Sequence, residues 1–399
     1  MNPSYKSTIN ACRVGSVNLA VTINLTAILF VPLREQFNLS YTQLGLLVLT
    51  NFAAMVSVAI LFANIVDRYG FRRFIIGAHF MLVVGLIWFA ATPWTAEVLP
   101  VDPYILLITG VLLFAAAGGF LELLCSPILN AIPIPEKEKS AAMSNLHAYF
   151  SLGQICVVLV TTLLLFYFGT EAWPFVALIW TIIPLLNGLR FIRCPMPSPL
   201  PKEKQAPARD VLKRPLFALL LLLIFSAGAS EITMAQWTSA FMEEALELPK
   251  IVGDILGACM FAVMMFVGRY GYGRLGARGL KWSQHSIMLA GGVLTFVSYI
   301  VVAVTSVPAL GLLACALCGL GVALLWPGTL SLAVDTFPKA GTWMFALLVA
   351  AGNSGSAASP SLFGVIADQA GLNMGFMITS VFPLGVIICL IVYRFTYSR

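Results

Sequence analysis

The sequence predicts an all-α membrane protein with twelve transmembrane helices in two six-helix bundles. Three observations lead there. Of 399 residues, 60% are hydrophobic and only 10% charged, and the mean hydropathy is +0.93. Ordinary soluble domains are about 45–50% apolar and about 25% charged, so a water-soluble core cannot hide this much apolar surface and the bilayer must be the solvent. The apolar residues fall into runs of about 20, the length a helix needs to cross the hydrocarbon. A proline- and charge-rich stretch within 192–214, CPMPSPLPKEKQAPARDVLKR, divides the runs six and six and reads as a linker.

Helices are expected near 10–32, 42–65, 74–92, 104–133, 143–168 and 173–191 in the first bundle (1–191). In the second (215–399) they are expected near 215–238, 251–268, 285–305, 309–334, 342–367 and 373–395. The N-terminus, MNPSYK, leads into the first span without an A-x-A-like cleavage site, so that span is expected to be retained. Lysine and arginine set the orientation. With both termini in the cytoplasm, that face holds the linker and all of the 23 basic residues except Arg34 and Lys250, as the positive-inside rule requires. The net charge of +6 is then a topology signal spread over short loops, and nucleic acid is not an expected partner.

Several function classes are excluded or disfavoured. There is no Walker motif, no HExxH and no Ser/His/Asp constellation, and the three histidines (His79, His147, His285) are dispersed. The eight cysteines form no framework, and Cys315 and Cys318, though spaced CxxC, lie in an apolar run and read as small packing residues. An enzyme is not expected, no cofactor is expected, and energy for any transport would come from a gradient.

The two halves repeat a loop. DRYGFRR (67–73) follows the second span and GRLGAR (273–278) the eighth, with Arg68-x-Gly70-x-Arg72 matching Arg274-x-Gly276-x-Arg278. Two similar halves imply a pseudo-two-fold axis along the membrane normal. Twelve spans, two halves and DRYGFRR between spans two and three resemble the major facilitator superfamily. Its loop signature places a glycine where this chain has Ala63. The resemblance implies rocking of two six-helix bundles about a central site by alternating access. It also implies a gating role for Asp67 with Arg68, Arg72 and Arg73, whose plainer role is topology. Arg269 is a second gating candidate, because it aligns with Ala63 and not with a loop arginine.

Two carboxylates stand inside apolar spans. Glu122 occurs in GGFLELLCSPILN (118–130), and an ionisable residue at mid-span costs about 2.5–3.5 kcal/mol on insertion scales, so it normally faces a cavity or a partner. Pro127 frees the carbonyl of Leu123, and Gly118 and Gly119 permit close approach of a neighbour, which together suggest a bent helix lining a cavity. The plainer alternative is a protonated structural glutamate. Glu231 occurs in FSAGASEITMAQW (225–237), where Gln236 and Trp237 supply an amide and an indole suited to hydroxyl-bearing solutes. Trp237 reads equally well as an interfacial anchor.

Leu121-Glu122 followed by Ser126-Pro127 is similar to the Leu-Glu and Asn-Pro pairs of fucose-permease-like members of the superfamily. That resemblance implies proton coupling by Glu122. Those members carry an aspartate in the first span where this chain has Ala27, which leaves Glu231 as the candidate second carboxylate. Asn24, Asn130, Gln154, Asn353, Asn145 and His147 are further candidates for lining a cavity, although a lone polar residue in a span more often bonds a neighbouring helix. Trp326-Pro327 occupies in span ten the place of Ser126-Pro127 in span four. The glycine-rich GNSGSAASPSLFG (352–364) reads as tight helix packing.

The expected function is secondary active transport of a small polar solute, a sugar before other classes, coupled to protons across a bacterial inner membrane. Proton coupling falls to Glu122 and Glu231, and solute binding to Asn24, Asn130, Gln236, Trp237, Trp326 and Asn353. Expected partners are the solute, protons and the bilayer, with the chain acting as a monomer. Export of amphipathic drugs or metabolites is the rival reading, followed by a non-transporting membrane sensor.

Overall fold

The computed structural model describes residues 5–133, 136–198, 211–277, 283–337 and 342–397. Among them all regular structure is helical and no strand occurs. The helices are α1 (Lys6–Ile28), α2 (Phe30–Phe37), α3 (Tyr41–Tyr69), α4 (Phe71–Ala90), α5 (Thr92–Val98), α6 (Pro103–Ala131), α7 (Glu136–Phe168), α8 (Trp173–Ile179) and α9 (Ile182–Arg193). After the linker come α10 (Pro215–Glu244), α11 (Met260–Ala277), α12 (Gln284–Val304), α13 (Pro308–Val322), α14 (Leu325–Thr336), α15 (Thr342–Ala370), α16 (Leu372–Thr379) and α17 (Val381–Tyr397). Eleven stretches of the described residues are long and apolar enough to cross a membrane. To these α15 adds a helix of 29 residues made less apolar by Gly352-Asn353-Ser354-Gly355-Ser356.

Several spans expected as single runs are broken, and proline explains where. A proline cannot donate to the carbonyl four residues back and its ring crowds that carbonyl. The breaks at Leu29, Trp180, Ala323–Leu324 and Ser380 lie at or beside the fourth residue before Pro32, Pro184, Pro327 and Pro383. Pro127 and Pro360 instead sit inside the continuous helices α6 and α15.

By packing, the chain divides into two units, Met1–Ser40 with Thr50–Leu200, and Tyr41–Leu49 with Pro201–Arg399. In the first unit glycines set the helix crossings. A Cβ on Gly85 of α4 would lie 2.5 Å from the backbone nitrogen of Phe114 on α6, and one on Gly153 of α7 would lie 2.8 Å from Cα of Val17 on α1. Close backbone approach of this kind is how helices associate in lipid, where no hydrophobic force drives them together. His79 ties three helices. Its Nδ1 lies 2.7 Å from the Ile75 carbonyl and its Nε2 2.8 Å from Asn187 Nδ2, and Asn187 also donates to the Ala11 carbonyl.

In the second unit α10 packs on α15, with Gly228 against Gly352 and Gly355 against Phe225. A helical turn, Lys250–Val252, leads into a π-helical turn, Gly253–Cys259, that holds Asp254 fully buried. Lys250 Nζ lies 3.2 Å from Asp254 Oδ2 and Ser239 donates to Oδ1. The segment Tyr41–Leu49 joins this unit through Asp368, which accepts from the backbone N–H groups of Tyr41 (2.9 Å) and Thr42 (2.7 Å) and so caps the start of α3. The Tyr41 hydroxyl donates to Glu244. A carboxylate on the free N–H groups of a helix start typically contributes about 1 kcal/mol. Asp368→Ala is therefore expected to lower stability by about that much, read as a small fall in the midpoint of thermal unfolding in detergent. An unchanged midpoint would deny the cap any weight.

Candidate functional site

In the second unit a polar cluster forms around Glu231. Gly228 and Glu231 lie one turn apart on the same face of α10. The Arg269 guanidinium on α11 reaches Glu231 with Nη2 3.2 Å from both carboxylate oxygens, and the two side chains are only 13% and 9% exposed. Arg269 Nε donates to the carbonyl of Ala323 at 3.1 Å. That carbonyl is available because Pro327, four residues on, has no N–H to give it. The break in span ten therefore supplies an acceptor that helps hold the arginine over the glutamate.

Trp326 begins the helix after that break, and its indole lies on Gly228 and Gly352. Asn353, next to Gly352 on α15, is 2% exposed. Ser356 is 1% exposed with its hydroxyl next to Gly228, and that hydroxyl has no hydrogen-bond partner among the described residues. Of the residues singled out from the sequence, Glu231 and Arg269 thus pair directly, Trp326 packs one turn from Glu231 on Gly228, and Asn353 is buried next to Gly352. Sequence reasoning misses Ser356. Its one signal is membership of the Gly/Ser run, which reads as packing alone.

Gln236 and Trp237 lie further along α10. Gln236 is 3% exposed. Trp237 is fully buried, stacked on Phe363 with ring centres 4.6 Å apart, and its Nε1 donates to the Pro360 carbonyl at 3.2 Å. The interfacial-anchor reading of Trp237 gives way to core packing, because α15 covers the ring and takes up its one donor.

In the first unit Glu122 is half-buried on α6. The same unit holds a buried polar set that comprises Asn18, Thr22, Asn51 and Gln154. Asn51 Nδ2 donates to the Thr22 carbonyl at 2.5 Å, while Asn24 Nδ2 donates to the Ala20 carbonyl at 2.8 Å within its own helix. Asn18 and Asn51 escape sequence reasoning, where each is one of several scattered polar residues in its span. Asn130 and Asp67 fall within α6 and α3, but their side chains lie outside the described residues, as does that of Asn145. Arg68 and Arg73 are exposed, and the Arg68 guanidinium lies 5.4 Å from the ring centre of Tyr69. Arg72 Nη1 donates to the Ile192 carbonyl at 2.8 Å and Nη2 to that of Cys194 at 2.7 Å. It thereby caps the end of α9, where a cation also meets the negative pole of the helix.

The sequence model described as Major Facilitator Superfamily matches residues 14–339. The chain belongs to the Major Facilitator Superfamily. Its family and fold are those of transporters, and it is a multi-pass membrane protein. Solved structures of other superfamily members share the fold. The D-xylose-proton symporter has a TM-score of 0.78 at 14% identity, covering 97% of this chain and 96% of that one. A bacterial homolog to human lysosomal transporter Spinster, inward-facing and occupied, has a TM-score of 0.72 at 14% identity over 99% and 97%. The E. coli fucose:proton symporter, FucP, has a TM-score of 0.67 at 18% identity over 98% and 99%. No curated protein sequence matches this superfamily member.

Proposed function

We propose that this superfamily member imports a small polar solute, a sugar or related polyol, by alternating access coupled to protons. We place it in a bacterial inner membrane with both termini cytoplasmic, following the distribution of lysine and arginine. The Glu231–Arg269 pair carries the reading. A buried ion pair is weak evidence for stability, because two ions lose their water and the attraction only roughly repays it. A pair kept in that position suits a transporter that must change charge state.

With Glu231 ionised, the pair is neutral and Arg269 is occupied. A proton on Glu231 removes that attraction and leaves the guanidinium seeking an acceptor, which a solute hydroxyl or ring oxygen can supply. Glu122 is the carboxyl inside a span of the first unit, and a carboxyl held within a span is the kind of group that proton relays use. Trp326, Asn353 and Gln236 supply an apolar face and amides for a hydroxyl-bearing solute. The fold-level neighbours that carry fucose or xylose with protons make these the first sugars to try. No cofactor is needed beyond the proton gradient.

The test is solid-supported-membrane electrophysiology on proteoliposomes with a panel of sugars and polyols that includes fucose and xylose. A solute-evoked current in the wild type is expected. In Glu122→Gln, accumulation against a gradient should disappear while solute exchange persists. A Gln variant that still concentrates solute would remove Glu122 as the coupling group. Silence across the panel, together with raised drug resistance in a sensitive strain, would replace import by export.

A further inference from the structure

We propose that a cavity in the second unit, between the ends of α12, α14 and α17, holds the headgroup of a phospholipid that carries a primary amine, with its phosphate on Arg394 and its ammonium on Asp335. The inference stands apart from the solute and the coupling groups proposed above.

The cavity measures about 430 Å3 and is lined by Ser283, His285, Ser286, Asp335, Tyr393 and Arg394. Small-molecule sites run from about 300 to 1,000 Å3. Three helices are tied together around it. Gly292 of α12 packs on Val386 and Ile387 of α17, and Gly328 of α14 packs on Met288 of α12. Gln284 donates to the Gly328 carbonyl at 3.0 Å and accepts from Ser331 at 3.2 Å. His285 Nε2 lies 2.8 Å from the Leu390 carbonyl. The His285 ring stacks on Tyr393, whose hydroxyl bonds that of Thr336 at 2.9 Å.

These contacts fix the walls and leave the charged groups out. Asp335 and Arg394 are exposed, and neither has an ion-pair or hydrogen-bond partner among the described residues. Opposite charges thus line one cavity without pairing. A simple anion there would meet the carboxylate, and a simple cation the guanidinium. A ligand with both charges suits both groups.

The surroundings point to a lipid as the source. α12 has 21 residues, about 31 Å at 1.5 Å per residue, which matches a hydrocarbon core of about 30 Å. Its first turn, with Ser286, therefore lies at headgroup level. Val293 and Val297 follow Ser286 at i+7 and i+11 on the same face, and both are exposed. On α17, Ile388, Ile391, Val392 and Phe395 form a second exposed apolar stripe. In a membrane protein such stripes face acyl chains. The cavity's polar lining stands at the end of both.

The chemistry selects the headgroup. A guanidinium presents a fork of N–H donors that matches phosphate oxygens. The Ser283 and Ser286 hydroxyls lie 2.9 Å apart and share one hydrogen bond, so one hydroxyl hydrogen of the pair is left for a phosphate oxygen. A primary ammonium can donate to Asp335. A choline group has no N–H to donate, and a glycerol headgroup brings no positive charge to the carboxylate.

The experiment is native mass spectrometry of the purified, delipidated full chain. The probes are phosphatidylethanolamine, phosphatidylcholine and phosphatidylglycerol with identical acyl chains, and the unfolding midpoint in each lipid is the second readout. The wild type should retain phosphatidylethanolamine about three- to tenfold more strongly than the other two, and that lipid should raise the midpoint most. Arg394→Gln should weaken retention of all three. Asp335→Asn should erase the preference for phosphatidylethanolamine over phosphatidylglycerol. The midpoint without lipid checks folding, and Arg394→Ala and Asp335→Ala read the same contrast if either variant does not fold. Equal retention of the three lipids by the wild type, or an unchanged preference in both variants, overturns the proposal. Soluble phosphoethanolamine that competes as well as the lipid itself would make the occupant a soluble zwitterion and overturn the lipid assignment.

Discussion

Arg269→Ala should cost the second unit about 3–5 kcal/mol, because it strands the Glu231 carboxylate in a buried site without its counter-charge. Against a typical total of about 5–15 kcal/mol, that is a large share of stability. The expected readout is a clear drop in the unfolding midpoint in detergent, accompanied by loss of solute-evoked current. Glu231→Gln should cost less, since an amide can still accept from the guanidinium and carries no charge. The double variant Arg269→Leu/Glu231→Leu should recover most of the lost stability, as replacing both ions by apolar side chains is often neutral or better. It should remain inactive. Arg269→Lys should not restore transport, because one ammonium cannot bridge the carboxylate and the Ala323 carbonyl as the planar guanidinium does. If Arg269→Ala unfolds at the wild-type midpoint, the pair has no structural weight, and if the solute-evoked current also survives, the coupling scheme loses its foundation.

Among the described glycines, Gly355→Ala is expected to be one of the most damaging exchanges to alanine. Its Cβ would collide with the carbonyl oxygen of Phe225, and a backbone atom inside a helix cannot step aside as a side-chain tip can. The α10–α15 contact would have to open. Overpacking of this sort costs about 1–3 kcal/mol, and here the shift passes to Ser356 and Trp326, which pack on the same α10–α15 contact at Gly228 and Gly352. Poor yield and a lowered unfolding midpoint are expected. Gly271→Ala is the control, because nothing lies within 4 Å of its Cβ and it sits inside α11. There the exchange should be neutral or mildly stabilising by up to about 1 kcal/mol. Equal behaviour of the two variants would show that the glycine contact does not hold these helices together.

Both expectations depend on pairings that no single stretch of sequence reveals. The solvent, the helices and the repeated loop were legible from the sequence, because each is a property of one run of residues at a time. Apolar length marks a span, Pro and charge mark the linker, and DRYGFRR with GRLGAR marks the repeat. Helix breaks were half legible. Pro32, Pro184, Pro327 and Pro383 lie just after helix breaks while Pro127 and Pro360 sit inside continuous helices, a difference the prolines themselves do not announce.

Glu231 stood out in the sequence because charge is rare in a span, and Arg269 because it fell out of line with its repeat partner. That they form one pair, 38 residues apart, is decided by which faces of α10 and α11 meet. Asn18 shows the same division in the first unit. As one of several polar residues in its span it carried no signal of its own, and its burial follows only from the packing of α1, where Gly15 meets Cys125 and Thr22 meets Gly118 of α6. Residue order alone was enough for the solvent, the spans and the presence of charge inside them. Which polar groups face one another was left to the packed molecule, because in lipid that choice rests on the close approach of small residues on separate helices.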